Sequence, residues 1–306
     1  MINLTKETLD RLYKKQKTML SAGWIVTIAV MVISEMIRIT VSGTDMDTPT
    51  LDLIILAIDI LPFIYIGYTI KATIPAGNMG NVRKAFKLLK NDFASDNAEN
   101  TLYRFLGQTS KYPEKIRLTL LLADTLTIRG KVNEALQLLY SADRSGFEKY
   151  PDIGMSFYGE IVDIYSMIGD NDSVLRAYED GKSFTERVWE RNYNCCITAF
   201  EIMINVEKAR GNYRKALDLR LIKNEYENLF NSTTGASVQG TPLSRFLKGY
   251  VFVNSAELFY LCGDLENAAK YIDIGGPMLS ASVFYTNKAN DLSEKIRTAL
   301  AQRNYQ

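Results

Sequence analysis

Apolar positions along the chain fall into two regimes. From Ser21 to Val41 and again from Leu51 to Ile70 they run almost without interruption (SAGWIVTIAVMVISEMIRITV and LDLIILAIDILPFIYIGYTI). Each run has the roughly 20 residues a helix needs to cross a hydrocarbon core. The link Ser42 to Thr50 supplies Gly43 and Pro49 for a reversal, so residues 21–73 are expected to form a transmembrane helical hairpin with spans at 21–41 and 51–70. Before it, Leu9, Leu12, Tyr13, Gln16, Met19 and Leu20 recur at helical spacing among five basic residues. Residues 1–20 therefore read either as an interfacial helix leading into the bilayer or as a solvated lead-in. After the breaker-rich joint Ile74 to Gly80 the periodicity becomes amphipathic and helical, with no strand-like alternation of comparable length. The fold class expected is all-α: a hairpin, then a helical domain over residues 78–306.

Charge orients the hairpin. Lys6, Arg11, Lys14, Lys15 and Lys17 precede it, and Lys71, Arg83, Lys84, Lys87 and Lys90 follow it, whereas the link carries Asp45 and Asp47 and no Lys or Arg. The positive-inside rule then leaves both termini in the cytoplasm of a multi-pass plasma (inner) membrane protein. Four ionisable residues interrupt the spans: Glu35 and Arg38 in the first, Asp52 and Asp59 in the second. Each costs about 2.5–3.5 kcal/mol near a bilayer centre, so such residues face a partner or a polar cavity. In an antiparallel hairpin Arg38 comes level with Asp52 near the outer surface and Glu35 approaches Asp59 deeper in. The residues either hold the two spans together as an ion pair with one protonated carboxyl, or serve an ion path, a proton-linked site or a polar contact with another membrane subunit in a homo- or hetero-oligomer. Pro62 permits a kink in the second span.

The C-terminal region repeats itself. GKVNEA from Gly130, GDNDSV from Gly169, GNYRKA from Gly211 and GDLENA from Gly263 share a glycine, a polar residue, and a small or β-branched residue five positions on. Each follows one apolar helical stretch and opens another. The glycine suits a helix end with positive φ, Asp or Asn suits the next N-cap, and the small residue lets the paired helices approach closely. GNVRKA from Gly80 is a further half-match, predicting that the helical stack begins directly after the second span. Met278 to Gln302, with Tyr285, Ala289, Leu292, Ile296 and Leu300 at helical spacing, reads as the capping helix a solenoid needs.

On these residues the chain resembles the tetratricopeptide repeat family. Aligning Gly130 with the family's inter-helix glycine puts Leu122 and Ala123, Ala135, Leu139 and Ala142 on its signature positions; the repeat at Gly263 keeps Ala256, Phe259, Ala268 and Ile272. The repeats at Gly169 and Gly211 depart from it, with Val162 and Ile204 at a small-residue site. The glycine spacings of 39, 42 and 52 exceed the family's 34. The resemblance implies a solenoid whose first helices line a partner-binding groove: Arg117, Asp124, Thr127, Glu160, Asp163, Ser166, Glu201, Asn205, Lys208, Tyr250, Asn254, Glu257 and Tyr260. Carboxylates outnumber bases there, unlike the Lys/Asn clamp by which some relatives hold a peptide's C-terminal carboxylate. The expected ligand is a basic or amide-rich segment of a partner protein, with the two tyrosines as flat contact area.

Composition narrows the chemistry. The chain has no histidine, which removes the commonest general base and most zinc sites. Its three cysteines, Cys195, Cys196 and Cys262, lie in apolar helical surroundings and read as packing residues. Carboxylate pairs such as Glu160 with Asp163 lack any accompanying nucleophile elbow, Gly-rich loop or metal-ligand cluster. The Gly/Ser/Thr-rich stretch Asn231 to Pro242 has no lysine and fails as a phosphate loop, leaving a surface loop. With 36 Lys+Arg against 35 Asp+Glu, no basic excess points to nucleic acid. No enzyme, cofactor or metal site is expected. The expected function is a membrane-anchored adaptor or scaffold that binds a protein or peptide partner at the cytoplasmic face; the alternative is an accessory subunit of a membrane transport or secretion complex that uses its intramembrane charges.

Overall fold

The computed structural model describes residues 2, 4–41, 80–234 and 240–304. The link at 42–50, the second apolar run with Asp52, Asp59 and Pro62, and the joint before Gly80 lie outside the described residues, as does the side chain of Arg38. The described residues are all helical: α1 (Lys6–Val41), α2 (Gly80–Leu89), α3 (Asp96–Gln108), α4 (Tyr112–Ile128), α5 (Val132–Tyr140), α6 (Pro151–Ile168), α7 (Asn171–Val188), α8 (Tyr193–Ala209), α9 (Tyr213–Thr234), α10 (Pro242–Leu261), α11 (Leu265–Gly275), a 3-10 turn (Gly276–Leu279) and α12 (Val283–Asn304). Two compact units result, one of Met1–Leu9 with Asn81–Gln306 and one of Asp10–Gly80.

The larger unit is a stack of helix pairs, and its construction follows the glycine pattern. Gly130, Gly169, Gly211 and Gly263 end α4, α6, α8 and α10 with φ of 77–79°. That left-handed conformation is open to a residue without a Cβ and strained for others. Five positions on, Ala135, Val174, Ala216 and Ala268 are completely buried, each at the seam of its pair, together with Leu122, Ala123, Val162 and Ala256. The expected N-caps form at two of the four turns: Asp170 accepts from Ser173 N and Asp264 from Asn267 N. At the other two a buried glutamate takes over. Glu207, 1% exposed, accepts from Asn212 Nδ2 at 2.7 Å and Lys215 Nζ at 3.0 Å, so the Asn212 side chain is drawn away from the cap. Glu99 of α3 holds the Gly130 turn through Arg129 and through Lys131 Nζ at 2.9 Å.

Both ends of the stack are tied to its middle or to each other. At the start, Asn81 N donates to Glu114 Oε1 at 2.7 Å and Val82 and Ala85 are fully buried, so α2 packs into the stack as its first element. Leu243 N donates to the Lys90 carbonyl at 3.2 Å, and the Phe93 and Phe246 rings stand 5.1 Å apart. At the finish, Ser282 Oγ donates to the Ile128 carbonyl, Phe284 covers Gly130, and Lys288 Nζ donates to the Met167 carbonyl. The capping helix α12 therefore reaches the C-terminal ends of α4 and α6 as well as covering α11. Lys6 of α1 joins this unit too, paired with Glu225 of α9 at 2.9 Å.

In the smaller unit α1 continues without a break through Leu20, where an interfacial helix and a span were expected to meet. No proline or capping residue stands there to stop it. Among the described residues no helix is long and apolar enough to cross a membrane. Leu9 and Leu12 near the start of α1 are buried, but from Gln16 onward the distribution is inside-out. Its buried positions include Gln16, Thr27 and Ser34, while Ile25, Val26, Ile28, Met31, Val32, Ile33, Met36 and Ile39 are exposed, Ile25 and Ile39 by 67% and 68%. At 3.6 residues per turn these eight cover more than half the circumference.

Close backbone approach sets the pairing of α10 with α11. A Cβ on Gly249 would stand 2.6 Å from the Met278 Cβ and 2.9 Å from the Gly275 carbonyl oxygen. Gly249→Ala is expected to destabilise by about 1–3 kcal/mol, lowering the melting midpoint by roughly 2–10 °C. Gly107→Ala, with nothing within 4 Å of the new methyl, should leave the midpoint unchanged or raise it slightly. Thermal denaturation followed by circular dichroism distinguishes the two.

Candidate functional site

The first helices of the pairs, α4, α6, α8 and α10, carry every residue expected on the inner face. Local sequence decides which of these face the neighbouring helix: on each, the large apolar residues take the pair seam and the polar ones fall three and four positions apart on the other side. The structure brings one group of them together. Tyr250 OH of α10 donates to both Asp163 oxygens at 3.0 and 2.9 Å. Asn205 Nδ2 of α8 donates to the same carboxylate at 3.0 Å, and Ser166 Oγ donates to Asn205 Oδ1 at 3.1 Å. Asn254 hydrogen-bonds Tyr250 from the next turn of α10. On the α4 side, Asp124 and Glu160 share a hydrogen bond, with Asp163 close enough to repel both. Asp124 is exposed, whereas Glu160 and Asp163 are half-buried.

The remaining groove candidates lie outside this hydrogen-bonded group. Arg117 pairs with Asp152 at 3.3 Å, and Lys208 with Glu257 at 2.8 Å. Thr127 is buried, its hydroxyl without a partner. Tyr260 lines an open cavity of about 470 Å³ with Asp291, Glu294 and Lys295 of α12. Glu201 receives a guanidinium fork from Arg220 at 2.8 and 2.5 Å and the Lys223 ammonium at 3.1 Å. These two bases come from α9, a second helix, and Arg220 is 1% exposed. Arg220, Lys223 and Lys288 were not among the expected residues, because no local pattern marks them and what they meet lies on other helices; Tyr285 was expected only as an apolar position of the capping helix.

Electrostatics sort the carboxyls. Crowding by the surrounding helices and the neighbouring Asp163 bring Asp124, its side chain still open to water, up to about 6, and loss of hydration and Asp124 hold Glu160 well above its ordinary value. Asp163 is also raised, by desolvation and by Glu201, against the hydrogen bonds from Tyr250 and Asn205. Glu201 goes the other way: although desolvation opposes it, Arg220 and Lys223 bring its carboxyl down to about 2. Tyr285 faces Asp163, Glu160 and Asp124, which together with burial hold its phenol well above the usual range. The net result is an acidic inner face at Asp124 and Glu160, bounded by the Tyr250 and Tyr285 rings 5.5 Å apart, and a neutralised one at Glu201. Among the described residues no group of three His, Cys, Asp or Glu is placed to hold a metal ion. Burial pushes the Cys195 thiol up to about 11, away from a nucleophilic thiolate.

A carboxyl raised in the folded state binds more protons there than in the unfolded chain, so its contribution to stability is full below about 4 and is lost as pH rises through about 6. Asp124→Asn, which leaves Glu160, Asp163 and Tyr285 facing a neutral amide, should therefore gain melting temperature relative to the parent as pH goes from 4 to 7. Glu201→Gln removes the counter-charge of a buried guanidinium and should cost about 3–5 kcal/mol at pH 7. That loss should shrink as pH falls through about 2, where the parent carboxyl is itself protonated; melting curves across pH measure both. A search of protein-family models and of curated proteins finds no match to this chain.

Proposed function

We propose that this chain is a membrane-attached helical-repeat scaffold of the tetratricopeptide type, whose inner first-helix face receives a segment of a partner protein. The observation that carries it is the opposite burial of its two units. In the stack, apolar side chains go inward and an acidic face is left over; on α1 beyond Leu12, Gln16, Thr27 and Ser34 are buried while eight large apolar side chains point outward. An apolar arc of that width is what lipid covers, with small and polar residues kept for helix contacts. The exposed lysines Lys14, Lys15 and Lys17 at the other end of α1 suit an anionic headgroup layer. The run at 51–70 would complete a hairpin with both ends cytoplasmic, and the stack would then sit at the cytoplasmic face. Tethering raises the effective concentration of whatever the stack holds. The ligand side is a basic segment, since no base pairs with Asp124 or Glu160 among the described residues and an arriving cation would take the place of the proton the two carboxyls keep between them.

The test uses the full-length chain in native membranes. With a photoreactive residue at Asn254, irradiation should yield a discrete cross-linked protein, and Asp124→Lys should weaken that cross-link about ten-fold or more. The chain should remain in the membrane pellet through an alkaline wash, and Ile28→Asp with Val32→Asp should release it. Undiminished cross-linking in Asp124→Lys removes the binding reading; loss of the parent chain to the wash removes the membrane reading.

A further inference from the structure

The first helix of the stack carries a surface of the opposite sign to the acidic inner face. From Gly80 to Asn91 the chain has Arg83, Lys84, Lys87 and Lys90 and no Asp or Glu, in a protein whose formal net charge is +1. Helix α2 is 10 residues long, and Val82, Ala85 and Leu89 make its buried side. Arg83, Lys84, Phe86 and Lys87 fall on the other side and are exposed, Phe86 by 45%. Among the described residues no carboxylate pairs with these three bases. Glu114, at the start of the helix, is buried and accepts from Asn81 N, and Asp92, past its end, accepts from Asn97 Nδ2 at 3.1 Å. The first turns of α10 adjoin the end of α2 through the Leu243 to Lys90 hydrogen bond and the contact of Phe93 with Phe246. They continue the pattern: Arg245, Leu247 and Lys248 are exposed, and no acidic residue follows until Glu257.

A helix side that mixes bases with an exposed aromatic ring has the composition of an interfacial helix, whose bases meet phosphate oxygens while the ring sinks between headgroups. Three unpaired bases on so short a helix repel one another, and an anionic layer relieves that repulsion. Chain length supplies a second argument. Gly80 is ten positions on from Ile70, where the second apolar run ends, a reach of at most about 36 Å. With that run in lipid, α2 starts no further than this from the bilayer surface.

We propose that the exposed side of α2, with Arg83, Lys84, Phe86 and Lys87, lies on the anionic lipid headgroups of the bilayer that holds the chain, and that Arg245 and Lys248 of α10 extend the contact. This rests on the membrane-attached reading and adds to the anchor a contact made by the stack itself. Such attraction fades within about 8 Å at physiological salt, so the bases must sit at the headgroups to gain from it.

The test uses the full-length chain reconstituted into vesicles of phosphatidylcholine, alone or with a third of phosphatidylglycerol. With a photoreactive phenylalanine analogue at position 86, irradiation should attach phosphatidylglycerol in the mixed vesicles. Arg83→Gln with Lys87→Gln should lower that yield about ten-fold or more, and high salt should lower it likewise. Both substitutions change exposed side chains without ion-pair partners, so the melting point should hold, which separates lost contact from lost folding. Equal lipid labelling in the two vesicle types, or undiminished labelling in the double variant, overturns the proposal. So does a protein adduct from position 86 in native membranes without a lipid adduct, which assigns the surface to an acidic protein. A chain that floats with both vesicle types but gives no lipid adduct keeps its anchor and loses this contact. A chain that floats only with the anionic vesicles, and is stripped from them by high salt, keeps the contact and loses the anchor.

Discussion

Everything in the stack depends on how cheaply the chain can turn back on itself between paired helices. A helix that ends in left-handed backbone satisfies its last carbonyls and redirects the chain within two or three residues, and glycine does so without steric cost. The four glycines at φ near 78° set that reversal, and the fully buried residue five positions later decides how near the second helix comes. Alanine at three of these seams and valine at the fourth hold the pairs close. The inner face is what remains once the seams are filled. Its polar character follows from position: those side chains point away from the pair contact.

The acidic residues left on that face divide by the company they keep. Glu201 has a bidentate guanidinium and an ammonium and stays ionised, so it serves as a fixed support. Asp163 is held by neutral donors. Asp124 and Glu160 face each other and a third carboxyl, and a shared proton is the least costly way to leave such groups side by side. A cation arriving there replaces a proton, so occupancy and protonation compete.

The helical pairs were legible because their signal is local. Gly130, Gly169, Gly211 and Gly263 each sit within six residues of the small residue they serve, and the helix periods between them are unambiguous. The same register puts Asp163, Asn205 and Tyr250 on first helices, where the structure shows them hydrogen-bonded. What the residues do there was not legible. Tyr250 is 87 residues from Asp163, and Lys208 is 49 from Glu257; no periodicity announces such pairs. Arg220 reads as an ordinary surface base on a second helix until Glu201 is found opposite it. On α1 the apolar run was plain, but which of its residues point outward depends on the buried stripe of Gln16, Thr27 and Ser34, which composition alone passes over.

The ties between the ends of the stack alter how it should come apart. An open repeat array frays from either terminus, because each unit touches only its neighbours and stability is a sum of nearest-neighbour terms. Here Ser282 reaches back 154 residues to Ile128, Lys288 reaches 121 residues to Met167, and Leu243 is bonded to Lys90. Neither terminal pair can peel away without breaking contacts to helices far from it in sequence. Unfolding of this stack is therefore expected to be closer to all-or-none than the gradual melting of an open solenoid. Its folding, which must close those long loops before the contacts repay them, should be correspondingly slow.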